Sequence, residues 1–300
     1  MDTLPKYRHE VQSVPHALID TPLRLVVDFH LEHLERDTKD GKLRPTNFWI
    51  VNRGLLLGSM QSYANVCLLL AEKRPKPFLS QAGIINRAIF ETLVNVVALI
   101  EEPSRVDVLE REGFKNLALR YQDLQTRFGS EPKWQEYLRV YRQGLDVVSK
   151  SLRISREELN EPSKIAASWP TPWPLIFGQP KRKSAPWGTG SRQQALKMLY
   201  RRNYPHQSAL AHQRIAAVSA AMLAENPEFQ WNPGLGESDL VATATLLLIC
   251  LLAELQAAAN YPRHPRLAEL WAYSREFDDE AKELWAIRYE NLVGERQTHA

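Results

Sequence analysis

Cysteine is scarce in this chain of 300 residues, and very long apolar runs are missing from it. The two cysteines, Cys67 and Cys250, each lie inside a short apolar run, which is typical of buried side chains and provides neither a disulfide framework nor a zinc site. The first residues lack the apolar core of a signal peptide. The longest apolar run, Leu240 to Ala253, is too short to span a bilayer. These absences predict a cytoplasmic protein without a membrane partner.

Acidic residues are absent from one long stretch of the chain. Between Pro162 and Ala224 there is no aspartate or glutamate, whereas nine lysines and arginines give this basic segment a charge of +9. The residues from Glu225 to Ala300 carry 13 acidic and 6 basic side chains. The basic segment therefore either packs against these acidic residues inside the fold, or forms an anion site for phosphate, nucleotide or RNA.

The predicted elements separate these two interpretations for individual side chains. Lys197 and Arg214 lie on predicted helices, which favours internal neutralisation. Lys181, Arg182 and Lys183 lie in a predicted loop, which favours contact with solvent or with a ligand.

Apolar residues recur at helical spacing along most of the chain, and no stretch predicts a strand. We expect helices over about 21–36, 46–73, 80–101, 103–128, 132–153, 155–159, from 191 onwards, 237–260 and 265–295. The helices over 80–101 and 237–260 are apolar nearly all round, so we expect them at the centre of an all-α, multi-helix bundle. Pro205 should kink or divide the helix that starts at residue 191.

One segment, residues 162–190, has prolines, glycines and three tryptophans without any periodicity, and it predicts a long ordered loop. Its tryptophans either fix the loop to the bundle or stack on nucleobases. We expect a single helical domain over 1–300, with a core over 46–260 and amphipathic C-terminal helices over 263–300.

Two rows of polar side chains lie on otherwise apolar helices. Arg87 and Glu91 are four residues apart on one helix, and a buried pair of charges needs further partners. Tyr204, Ser208 and His212 recur every four residues on another helix, which places them on one face. We expect the two rows to meet. The alternative is that Arg87 and Glu91 form a purely structural ion pair.

A third polar group lies on the first predicted helix, where His30, His33 and Asp37 share one face at metal-ligand spacing. No matching cluster follows on another helix. We therefore expect an ordinary surface face there, and neither a metal nor a cofactor in the protein.

Three short motifs carry a resemblance to a known family: Arg87-Ala-Ile-Phe-Glu91, Trp187-Gly, and Tyr204-x3-Ser208-x3-His212. Over roughly residues 46–260 this combination resembles an uncharacterised, mostly bacterial family of all-helical proteins. That family is similar in character to the HEPN superfamily, helical bundles that include metal-independent, RNA-cleaving toxins. The spacing from Arg201 to His206 fits the Arg-x4–6-His motif of that superfamily.

The resemblance implies a ribonuclease, in which His212 or His206 moves protons, Arg201 and Arg87 face phosphate, and Glu91 orients an arginine. The other hypothesis is a non-catalytic module that binds an anionic ligand, such as RNA or another phosphate-bearing molecule, or a partner protein or second copy. Its expected ligand-contacting residues are Tyr204, Ser208, Trp187, Lys181, Arg182 and Lys183. The sequence leaves both hypotheses open.

Overall fold

The computed structural model describes residues 15–39, 47–71, 79–178, 190–211, 237–261 and 264–293. About 90% of these residues are helical and none is in a strand, which confirms the predicted all-α class. The chain divides into a main unit, Met1–Glu101 with Pro172–Ala300, and an inserted unit, Glu102–Thr171. Nothing in the sequence pattern marked this division, and the expectation of a single domain stays a prediction.

The main unit begins and ends with helices that flank the inserted unit in sequence. Its first helices are α1 (Pro15–Lys39), α2 (Asn47–Ala71) and α3 (Leu79–Glu101). The inserted unit then contributes α4 (Val106–Phe128), α5 (Pro132–Ser151) and α6 (Arg156–Asn160). The main unit resumes with α7 (Pro172–Phe177), α8 (Gly190–Ala211), α9 (Glu237–Ala259), α10 (Pro265–Phe277) and α11 (Asp279–Leu284), and then a π-helical turn (Trp285–Tyr289) and α12 (Glu290–Val293).

The centre of the main unit is the pair of apolar helices α3 and α9. Helix α3 packs against α2, α7, α8 and α9, and α9 also packs against α1, α2 and α10. The two are joined by a buried hydrogen bond, in which Asn86 Nδ2 donates to the carbonyl of Leu240 at 2.8 Å. The predicted central position of both helices is confirmed, although Gln81, Ile84 and Ala88 leave one edge of α3 exposed.

Length and composition alone would allow both central helices to cross a membrane, over Gln81–Glu101 and Leu240–Ala259. The expectation that no apolar run is long enough was therefore too strict, because α9 stays apolar on average beyond Ala253. Burial inside the protein covers 56% of the first stretch and 83% of the second. The core helix of a folded bundle, which is mostly buried, has the same length and composition.

The cysteine of α9 is buried as expected, whereas the cysteine of α2 is half-buried. Burial raises the pKa of the Cys250 thiol well above its usual value, and a hydrogen bond with Tyr289 opposes that rise. Cys250 therefore belongs to the packed core, and its thiol stays protonated.

One carboxylate in this core, that of Glu254 on α9, is 1% exposed and lies between two arginines. Arg288, in the π-helical turn, donates from Nη2 to Glu254 Oε2 at 2.8 Å, and Arg192 Nε donates to the same oxygen at 3.1 Å. Arg288 also bonds the hydroxyl of Ser191, and Arg192 also pairs with Glu101 at the end of α3. This Glu254 clamp thus ties the start of α8 to α3, α9 and the C-terminal turn.

Removal of the clamp carboxylate should destabilise the protein strongly. Glu254→Ala leaves two arginines, 18% and 13% exposed, without their buried partner, so the free energy of unfolding should fall by about 3–5 kcal/mol. Glu269→Ala, which breaks an exposed pair with Arg266, should change it by less than about 1 kcal/mol. Urea denaturation measures both, and equal effects would contradict a buried clamp.

Helix α1 packs on α9 and α10 through a histidine that the sequence placed on the surface. His30 is 2% exposed, and its ring lies 5.4 Å from that of Tyr261. The expected surface face was wrong here because α1 turns this position toward α9 and α10. Burial, helped by the nearby His33, lowers the pKa of His30 to about 4. Within the described residues no group of histidine, cysteine and carboxylate side chains is arranged to hold a metal ion.

Acid should weaken the fold through His30. In the unfolded chain His30 is protonated below a pH of about 6.5, whereas in the folded chain it is protonated only below a pH of about 4. The free energy of unfolding therefore falls as the pH falls from about 6.5 to about 4. The loss should reach about 3 kcal/mol for this one group. Denaturation at a pH of about 7 and about 4.5 should show a smaller loss in His30→Phe than in the wild type. Identical losses in the two proteins would refute the role of His30.

The inserted unit has a small core of its own, in which Phe114 and Ala118 of α4, Leu145 of α5 and the later Ile165 are all buried. Helix α6 begins with a capping box, because Ser155 accepts from the backbone of Glu158 and the Glu158 side chain accepts from the backbone of Ser155. The sequence predicted this start correctly.

Three expectations about helix boundaries need correction. Helix α1 begins at Pro15 and not near Pro22, so Pro22 lies inside it. The segment 162–190, expected as a loop, contains the 3₁₀ turn Pro162–Lys164 and helix α7, and its residues 179–189 lie outside the described part. Helix α8 continues through Pro205, so the proline does not divide it, and the expected kink stays a prediction. The packing of α8 against α3 and α7 outweighs the one backbone hydrogen bond that a proline removes.

Candidate functional site

The two predicted polar rows meet where α3 packs against α8. Arg87 Nε donates to Glu91 Oε1 at 2.8 Å, and Arg87 Nη2 donates to the hydroxyl oxygen of Tyr204 at 2.9 Å. The guanidinium carbon of Arg87 lies 4.7 Å from the ring centre of Tyr204. The expected contact between the rows is therefore confirmed for Tyr204, and Arg87 is held by two partners on two helices.

This Arg87 network is half-buried and not fully buried. The Arg87 and Glu91 side chains are 21% and 36% exposed, so water screens their attraction. Burial alone would lower the pKa of Arg87, but the hydrogen bond and charge of Glu91 outweigh it and raise the pKa. Burial, and then the charge of Glu91, raise the pKa of Tyr204. Arg87 therefore stays charged and Tyr204 stays neutral near neutral pH.

A row of aromatic rings extends from this network across α8 to α7. Tyr204 stacks on Tyr200 at 4.7 Å between ring centres, and Phe90 of α3 lies 6.0 and 6.2 Å from these two rings. Tyr200 then meets Trp173 and Phe177 edge-on, at 5.5 and 5.3 Å. Trp173 and Phe177 are stacked on each other at 4.2 Å. We call these five rings the aromatic row.

Two cations on α8 lie along the aromatic row. Lys197, Tyr200, Arg201 and Tyr204 follow the spacing of one helix face. Lys197 Nζ lies 5.7 Å from the ring centre of Phe177, and Arg201 is exposed. Neither cation forms an ion pair with a carboxylate among the described residues. The expected internal neutralisation of Lys197 stays a prediction, whereas Arg192, at the start of the same helix, is neutralised by the Glu254 clamp.

The local sequence explains why these side chains converge. In α7, Pro172 occupies the first turn, and the buried Leu175 and Ile176 fix the short helix to the core, which leaves Trp173 on its outer side. In α8, the buried Ala195, Leu196 and Leu199 alternate with the polar face.

The structure brings together some of the predicted site residues and says nothing of others. Arg87, Glu91 and Tyr204 form the network, and Arg201 lies one helical turn before Tyr204 on α8. His206 and Ser208 lie within α8, but their side chains are outside the described part of the chain. The remaining candidates fall wholly outside it: His212, Trp187, Lys181, Arg182 and Lys183.

Three contributors were missed by the sequence reasoning: Phe177, Tyr200 and Lys197. Trp173 was considered only as one of three tryptophans that either fix a loop or stack on nucleobases. A signal for two of the missed residues was present, because Lys197 and Tyr200 precede Tyr204 by seven and four residues and so share its face. The place of Trp173 and Phe177 beside Tyr200 could not be predicted from periodicity, since α7 is too short for a periodic pattern.

The described side chains of this site can hold an anion and support a planar ring. They are an arginine, a glutamate, tyrosines, a lysine and a further arginine. The fold and site together define an all-helical protein in which a half-buried Arg–Glu–Tyr network adjoins a partly exposed aromatic row. No family model, curated protein or solved structure matches the chain.

The hydroxyl of Tyr204 should contribute measurably to stability. Tyr204→Phe keeps the ring but removes one partner of Arg87, and because water can reach this site the free energy of unfolding should fall by only about 1 kcal/mol. Tyr137→Phe, an exposed tyrosine of the inserted unit, is the control and should change nothing. If both variants unfold like the wild type in urea, the Arg87–Tyr204 bond contributes nothing.

Proposed function

We propose that this protein is a binding module for an anionic ligand, which it holds where α3, α7 and α8 meet. The observation that carries the proposal is the pair Lys197 and Arg201, which stand on one helix face with no carboxylate partner among the described residues. Most other described cations are paired, including Arg87 with Glu91 and Arg192 with Glu254. Two unneutralised cations beside a rigid ring cluster favour a ligand of negative charge.

The Arg87 network supports the same function in a different way. Because Glu91 and Tyr204 hold the guanidinium of Arg87, the neighbouring rings are fixed in position before any ligand arrives. A binding site that is already ordered loses less conformational entropy when it binds. We further propose that no membrane takes part, in line with the burial of α9.

The test is calorimetric titration with inorganic pyrophosphate. Binding should weaken as sodium chloride is raised, because the contacts are between exposed charges. Arg201→Gln and Lys197→Gln should each weaken binding about 10-fold, the effect of losing one charged hydrogen bond. Arg120→Gln, which removes an exposed arginine of the inserted unit, is the matched control and should bind like the wild type. No binding at low salt, or equal loss in the control, would overturn the proposal.

The competing proposal is the HEPN-like ribonuclease with Arg201 and His206 or His212 at its centre. It differs in one measurable outcome, the cleavage of radiolabelled RNA in the presence of EDTA. Cleavage that disappears in His206→Ala or His212→Ala, while pyrophosphate still binds, would establish the enzyme. RNA that is bound but stays intact supports the binding module.

A further inference from the structure

We propose that the ligand carries a planar ring next to its negative charge, as a nucleotide unit does, and that Trp173 is the residue on which the ring stacks. This inference rests on the proposed anion-binding function and names the chemical class of its ligand. It also assigns a role to a tryptophan that is not needed to hold the Arg87 network together.

The exposure of Trp173 is the first argument. This residue is 53% exposed, although it is built into a rigid cluster. Phe177 covers one face of its indole at 4.2 Å with the ring planes 27° apart, and Tyr200 meets it edge-on at 5.5 Å. Despite these two contacts, about half of the residue's surface stays exposed. A large apolar ring that is held in one orientation and left uncovered is a ready surface for stacking.

The position of positive charge is the second argument. Lys197 Nζ lies 5.7 Å from the ring centre of Phe177, and Phe177 is the ring that stacks on Trp173. Arg201 follows one turn later on the same face of α8. A ligand that reached only the cations would leave the indole exposed, and a ligand that reached only the indole would leave the charges unused. A nucleotide occupies both, because its base and its phosphate are joined through one sugar.

Stacking of this kind is tolerant of which base is present, because every base has a flat π-face. The same chemistry is offered by a free nucleotide and by an unpaired nucleotide within a nucleic acid strand. A paired base is unsuitable, because its faces are already stacked inside the duplex.

The experiment compares three probes on the full chain by calorimetry: AMP, ribose 5-phosphate and adenosine. AMP should bind about 10-fold tighter than ribose 5-phosphate, the effect expected of stacking one base. Adenosine should bind more weakly than AMP, because it lacks the phosphate. In Trp173→Leu the affinity for AMP should fall to that for ribose 5-phosphate, whose own affinity should not change. Trp173→Phe should keep most of the preference, which separates loss of stacking from loss of folding.

Each remaining result has a defined meaning. Equal affinity of the wild type for AMP and ribose 5-phosphate overturns the stacking inference while the anion-binding function stands. Absence of binding for both probes overturns the stacking inference, and it overturns the anion-binding function as well only if pyrophosphate also fails to bind. A preference for AMP that survives in Trp173→Leu overturns the assignment to Trp173, and Tyr137→Leu, an exposed aromatic of the inserted unit, shows the effect of removing an unrelated ring.

One further comparison distinguishes a free nucleotide from a nucleic acid strand as the ligand. A short single-stranded oligoadenylate that displaces AMP, and binds more tightly than AMP, indicates a strand as the ligand. Weaker binding of that strand than of AMP indicates a free nucleotide. A duplex that binds as tightly as the single strand would contradict stacking on Trp173, since its bases are not available.

Discussion

The structure of the main unit depends on one buried carboxylate. Glu254 cannot be ionised inside the core without partners, and it finds them in Arg192 and Arg288. Because Arg192 and its neighbour Ser191 lie in the first turn of α8, their bonds hold that turn against the end of α3, against α9 and against the π-helical turn. The later side chains of α8 lie on the helix that begins with this turn.

The cations of helix α8 therefore fall into two groups, one paired in the core and one without a described partner. Its first turn carries Arg192, which is neutralised in the core, and its middle turns carry Lys197 and Arg201, which have no carboxylate among the described residues. Neutralisation inside the fold is therefore observed at the start of the helix. An anion site beside the aromatic row is our proposal for the cations that follow.

The sequence analysis predicted the helices and part of the site correctly because both follow from simple physical rules. Long apolar periodicity predicts α3 and α9, and the need to satisfy charges on an apolar helix predicts that Arg87 meets a polar side chain from elsewhere. It did not reach α7, whose six residues are too few for a period, nor the path of α8 through Pro205. The Glu254 clamp was also missed, although a carboxylate within the apolar part of α9 was a visible signal that it needs partners.

The most direct measurement of the account is fluorine NMR on protein labelled with 5-fluorotryptophan. The chain has 8 tryptophans, and Trp173→Phe identifies the signal of Trp173 by its disappearance. Titration with AMP should shift that signal progressively to saturation, while the signals of tryptophans remote from the site, such as Trp271 in the core, stay in place. An unmoved Trp173 signal under conditions where AMP binds would show that the ligand lies elsewhere, and would contradict the site at α3, α7 and α8.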